Sequence, residues 1–175
     1  LSPGQPVTLN HINANVVATL ACRSESTRLY GKPLQLVGDE PILTHLINQL
    51  RGITAIDDIV LAIADAPSKD SYIQYAQSED LNYAVGSEKN VLGRLIAAGR
   101  KANAEVAVRV TTENPFVYTE NIEDMILEHL KNNYDYSMTE KLPLGSSVEV
   151  ASMQALETAN SQGSERHKSE LCTLF

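Results

Sequence analysis

Four short runs rich in apolar and β-branched residues constrain this chain more than anything else in it: Asn15 to Leu20, Asp58 to Ala64, Asn82 to Val85 and Glu105 to Val110. Between them the hydrophobic period changes from that of a strand to that of a helix. After the turn Gly38-Asp39-Glu40-Pro41, residues Ile42, Leu43, Leu46, Ile47 and Leu50 fall on one helical face, with His45 on its flank and Gly52 as C-cap. Pro67 opens a second helix through Ser78, with Ser68 and Asp70 in its first turn, and a third from Val91 to Ala102 turns Val91, Leu92, Leu95 and Ile96 inward. Strands that alternate with helices can bury their apolar faces together only as a sheet with right-handed crossovers. The expected fold class is therefore α/β, a three-layer and mostly parallel sheet with helices on both faces, Rossmann-like.

Further along, Asn121 is expected to cap a helix whose face is Ile122, Met125, Ile126 and Leu130. Tyr134 to Met138 and Ser147 to Val150 are strand candidates, residues 152–160 are helical in pattern, and a last helix is expected from Glu165. Ligands of such sheets sit at the carboxyl ends of the strands. The polar loops 21–32, 86–90 and 111–115 all fall there.

The loop after the first strand carries Arg23, Arg28 and Lys32, with Ser24, Ser26 and Thr27 among them and Gly31 beside the lysine. Arginine grips a phosphate with a planar fork and lysine as a point charge, so this loop suits a polyanion such as a triphosphate. A solvated basic loop is the plainer alternative. It is not a Walker loop, since Gly-x-x-x-x-Gly-Lys-Ser/Thr is absent. The formal net charge of −8 argues against a nucleic-acid partner and leaves this cluster as a local positive island. Cys22 and Cys172 lack metal-ligand spacing and are too few for a disulfide framework, which points to a reducing cytoplasm. Cys22, at the end of a buried strand, reads as a small core residue and not a nucleophile. No apolar run reaches the roughly 20 residues of a membrane span. Residues 1–14 read as a linker or cut end, and the apolar close Leu171 to Phe175 suggests a C-terminally incomplete domain spanning 15–175. Exposed apolar surface there would favour a homodimer.

The run Arg23-Ser-Glu-Ser-Thr-Arg-Leu-Tyr-Gly-Lys-Pro-Leu34 resembles the opening signature of the sugar-acid cytidylyltransferases, A-R-x-x-S-T-R-L-x-G-K, and most closely their spore-coat polysaccharide branch. Cys22 stands where alanine is usual and Tyr30 where proline is usual. The resemblance extends from Val16 to Phe175 and implies a nucleotide-diphospho-sugar transferase-like fold. It also implies transfer of CMP from CTP to a small 2-keto-3-deoxy sugar acid, with Mg²⁺ as cofactor and release of pyrophosphate. Arg23 and Lys32 would be catalytic, holding the triphosphate with Arg28, Ser26 and Thr27 in support. Gly86-Ser-Glu-Lys-Asn-Val-Leu-Gly-Arg94 is similar to the family segment G-S-x-x-D-V-L-D-R near the base and sugar, so Gly86 and Ser87 join the nucleotide-binding set.

Departures gather at acidic positions. Arg109-Val-Thr-Thr-Glu-Asn-Pro115 resembles R-I-T-G-D-x-P, which implies Glu113 as the metal ligand in place of aspartate, with Arg109 and Asn114 beside the acceptor; a helix-proximal surface acid is the plainer alternative for Glu113. Gly145-Ser-Ser-Val-Glu149 corresponds to G-L-D-V-E; Ser147 replaces the aspartate and Glu149 remains as a second metal candidate. Asn90 and Gly93 replace two further aspartates. Glu170-Leu-Cys-Thr-Leu-Phe175 resembles E-H-V-T-P-Y with Leu171 for histidine, and His167, one helical turn earlier, could stand in at the substrate. The altered acids favour a second reading, a non-catalytic nucleotide or nucleotide-sugar binding module within a larger polysaccharide-biosynthesis protein. A glycosyltransferase would want an Asp-x-Asp metal motif, and none is present.

Overall fold

The structure, a computed structural model, describes residues 14–23, 31–143 and 145–164. Strand β1 (Val16–Cys22) is buried along nearly its whole length, as a strand covered on both faces must be. Gly31, at φ 61°, turns the chain into a short 3₁₀ turn, Lys32–Leu34, in a conformation that a side chain would resist. A two-residue hairpin follows, β2 (Leu36–Val37) against β3 (Glu40–Pro41), and leads directly into α1 (Ile42–Arg51). Then come β4 (Asp58–Ala64), α2 (Lys69–Ser78), β5 (Asn82–Gly86), α3 (Val91–Lys101), β6 (Val106–Val110), α4 (Ile122–Asn132), β7 (Tyr136–Met138), β8 (Val148–Ser152) and α5 (Met153–Gln162).

The main sheet runs β5-β4-β1-β6-β8-β7. The first four of these strands are mutually parallel, whereas β8 is antiparallel to both of its neighbours. Residues 139–147, between β7 and β8, are too few for a crossover helix, and so the chain returns antiparallel into the gap beside β6. Alternate residues of β1 serve opposite cores. Val16, Ala18, Leu20 and Cys22 pack with α1, α2 and α4. Val17 packs with α3 and α5 through Leu92, Leu95, Met153 and Leu156. The three expected layers are therefore present.

Two local expectations need correction. Asn121 sits at the start of α4 but its side chain does not cap it; with φ −109° and ψ 5° the residue lacks the extended backbone of a capping position. Its Nδ2 donates instead to Thr139 Oγ1 at 3.2 Å. The inward face of α4 also includes His129, only 1% exposed, which the apolar pattern passed over. The helix expected from Glu165 lies outside the described residues.

Candidate functional site

After β5 the chain crosses back over β4 and β1 to lay β6 on the far side of β1, so the connections from β1 and from β6 depart in opposite directions. Such a switch in strand order opens a crevice at the carboxyl ends of the two strands. A cavity of about 290 Å³ lies there, lined by Ala21 and Arg23 from the end of β1, Val91 and Arg94 from α3, and Arg109 to Glu113 from the end of β6. A larger groove of about 460 Å³ runs between α3 and α5, but its charged residues Arg100 and Glu157 already pair with each other at 2.8 Å. It lacks the convergent chemistry of the smaller cavity.

Loops from both strands are tied together at the crevice. Thr112, where glycine was expected from the resemblance, donates its hydroxyl to the Ala21 carbonyl at 3.0 Å and thereby bridges the ends of β1 and β6. The Tyr72 hydroxyl on α2 donates to the Arg23 carbonyl at 3.2 Å, and Gln49 on α1 donates to the Pro115 carbonyl at 2.9 Å. Lys32 reaches across to Glu113, Nζ to Oε2 at 3.4 Å, so the candidate phosphate lysine and the candidate metal carboxylate face each other. Arg109 and Glu149 are directly opposite in the β6–β8 register and pair at 2.5 Å. That contact is a cross-strand ion pair on one face of the sheet.

The remaining assigned residues divide. Asn114 is engaged within its own loop: Nδ2 donates to the Gly145 carbonyl at 3.0 Å and Oδ1 accepts from the Phe116 amide at 2.9 Å. Gly86 is the last residue of β5 and Ser87 follows it, ahead of α3. Ser26, Thr27, Arg28 and His167 lie outside the described residues. Among the described residues, no group of three or more His, Cys, Asp or Glu side chains converges to hold a metal ion.

Asn90 and Gly93 turn out to be one device. The Asn90 side chain caps α3 by accepting from the Gly93 amide at 2.8 Å. A Cβ on residue 93 would stand 2.6 Å from Asn90 Nδ2, so this cap needs glycine three residues on.

Arg94, the last residue of the segment that resembles G-S-x-x-D-V-L-D-R, is the largest fully buried side chain among the described residues, 1% exposed. Its Nη1 donates to the Ser87 carbonyl at 2.5 Å and to the Glu88 carbonyl at 2.8 Å. Burial draws the guanidinium below its ordinary pKa. The signal was available: Arg94 lies three residues after Val91, on the apolar stripe of α3, where an unpaired charge is out of place. Cys22, also fully buried, has its thiol pushed up to about 12 by desolvation, which makes it inert at neutral pH.

The sequence model of the Cytidylyltransferase family matches residues 17–173. The chain belongs to that family. It is thus a member of a family of nucleotidyltransferases. An uncharacterised protein of Methanocaldococcus jannaschii is 34% identical over 160 residues, covering 91% of this chain and 66% of its own length. The spore coat polysaccharide biosynthesis protein SpsF of Bacillus subtilis is 28% identical over 166 residues, covering 92% of this chain and 69% of its own. The chain therefore spans about two thirds of the length of these relatives. Among solved structures, a cytidylyltransferase from Leptospira borgpetersenii superposes with TM-score 0.79 at 19% identity, over 92% of this chain and 69% of that one. CMP:2-keto-3-deoxy-manno-octonic acid synthetase, solved with CTP, superposes with TM-score 0.68 at 13% identity, over 86% of this chain and 79% of its own. At those identities the superpositions establish the shared α/β fold.

Proposed function

We propose that this cytidylyltransferase-family chain transfers CMP from CTP to a small 2-keto-3-deoxy sugar acid, for polysaccharide biosynthesis in the cytoplasm. The observation that carries the reading is the crevice at the switch between β1 and β6, which Arg23, Arg94 and Glu113 line and where Lys32 pairs with Glu113. The SpsF relative supports the polysaccharide setting, and the synthetase solved with CTP supports the donor. In the described residues no helix is long and apolar enough to cross a membrane.

The chemistry asks little covalent help of the protein. The sugar's anomeric oxygen bonds to the α-phosphorus, the bond from that phosphorus to the β-phosphate oxygen breaks, pyrophosphate leaves, and the hydroxyl proton passes to water. Arg23 and Lys32 bind the triphosphate and align it; Ser26, Thr27, Arg28, Gly86 and Ser87 are assigned to the nucleotide, and Arg109, Asn114 and His167 to the acceptor, which Asn114 can reach only by leaving its contacts with Gly145 and Phe116. Mg²⁺ commonly rests on one or two carboxylates and takes its other ligands from phosphates and water, so the absence of a three-residue cage among the described residues is compatible with it. Glu113 would hold it, and Glu149 could join by giving up Arg109. The bound ion would neutralise charge on the phosphates.

A non-catalytic nucleotide-binding module is the second reading, favoured by the fact that Glu113 and Glu149 already have cationic partners. Calorimetric titration with CTP and UTP, each with and without Mg²⁺, followed by a pyrophosphate-release assay over sugar acids, separates the two. Metal-dependent, cytidine-selective binding with release supports transfer. Metal-independent binding without release supports the module.

A further inference from the structure

The cations around the crevice differ in how they are neutralised. Lys32 has Glu113 and Arg109 has Glu149. Arg94 pairs with no carboxylate among the described residues, and its Nε and Nη2 are buried without a hydrogen-bond partner. These two atoms form the side-on edge of the guanidinium, whose parallel N–H bonds match two oxygens of one phosphate or carboxylate. The opposite nitrogen, Nη1, is spent on the Ser87 and Glu88 carbonyls, which fixes the plane of the group. Residue 86 leaves room for this: a Cβ there would lie 3.0 Å from Arg94 Cγ. A buried charge with three of its five N–H donors unused is costly unless something else satisfies it, and Arg94 lines the cavity where a ligand would sit.

We infer that the Nε–Nη2 edge of Arg94 is a bidentate seat for an oxyanion of the bound ligand, a phosphate of the nucleotide or the carboxylate of the acceptor. The inference rests on the nucleotidyl-transfer reading and adds to it a ligand-binding residue on α3. One side chain then performs two tasks, since the nitrogen that holds the loop at residues 87–88 also orients the edge that reads the charge.

The test follows the arginine Nε–H signals of the ¹⁵N-labelled full chain during titration with inorganic pyrophosphate, CMP, cytidine and 3-deoxy-octulosonate. The Arg94 signal is expected to shift with pyrophosphate and CMP if the source is phosphate, or with the sugar acid if it is carboxylate, and to ignore cytidine. By calorimetry, R94K should weaken the same ligand by about tenfold to a hundredfold, the usual loss for a hydrogen-bonded charged group. Because the wild-type signals carry the result, a poorly folded R94K leaves the test intact. If wild type binds CTP while the Arg94 signal stays still with every oxyanion, or moves with cytidine alone, the oxyanion seat is overturned and the transfer reading stands. If wild type binds no CTP, both fall.

Discussion

Lys32 and Glu113, 3.4 Å apart and each partly exposed, hold their charges in an internal pair that an incoming ligand has to exchange. A triphosphate draws Lys32 away, and a cation takes its place at Glu113. This exchange makes a prediction of opposite signs. Without metal, E113Q should bind CTP more tightly, by up to about fivefold, since one exposed ion pair is lost and a repelling charge removed. With Mg²⁺ the same variant should lose the enhancement that metal confers on wild type. Calorimetry in EDTA and in Mg²⁺ measures both, and an undiminished Mg²⁺ effect in E113Q would remove Glu113 from the metal site. Glu113 and Lys32 could be singled out from sequence because both occupy motif positions. Their pairing could not, because 81 residues separate them and only the sheet brings the two loops together.

At the scale of elements, α4 shows what a periodic reading omits. His129 faces inward with Ile122 and Ile126, and its Nδ1 lies 2.9 Å from Ser137 Oγ, joining the helix to the middle residue of edge strand β7. Its Nε2 is buried with no partner, and desolvation lowers the imidazole pKa from its ordinary 6.5. The neutral ring is therefore the form that the fold accepts. Between the folded and unfolded pKa values the unfolded chain binds more protons, so stability contributed by neutral His129 is full above about pH 6.5 and is lost as pH falls through the folded value. Urea midpoints measured from pH 7.5 down to pH 5 should drop in wild type and drop less in H129Q. Equal slopes would mean that other groups govern acid sensitivity. The α3 cap makes a related point, for Asn90 and Gly93 look like two independent losses of acid in the sequence but form one interlocked pair in the fold.

For the molecule as a whole, the strand order dictates where a ligand can leave its mark. The carboxyl ends of β1, β5 and β6 all emerge on one edge of the parallel part of the sheet. Hydrogen exchange with Mg-CTP should therefore slow the amides of residues 21–23, 86–90 and 111–113, and leave those near Asp58, Asn82 and Glu105 at the opposite edge unchanged. Protection confined to the opposite edge would displace the site altogether. The antiparallel β8 matters to this geometry, since it sets Glu149 opposite Arg109.

Local chemistry in the chain was enough to determine the alternation of elements and the loops that carry charge. Apolar period and strand–helix order depend on neighbours a few residues apart, and Arg23, Lys32 and Glu113 are legible for the same reason. Tertiary structure alone decided that β8 inserts antiparallel, that Thr112 bridges to Ala21, that Asn114 is taken up by its own loop, and that Arg94 keeps one guanidinium edge unpartnered. Each of these depends on which atoms lie within about 3 Å of one another across distant segments, and hydrogen bonds and desolvation act only over that range.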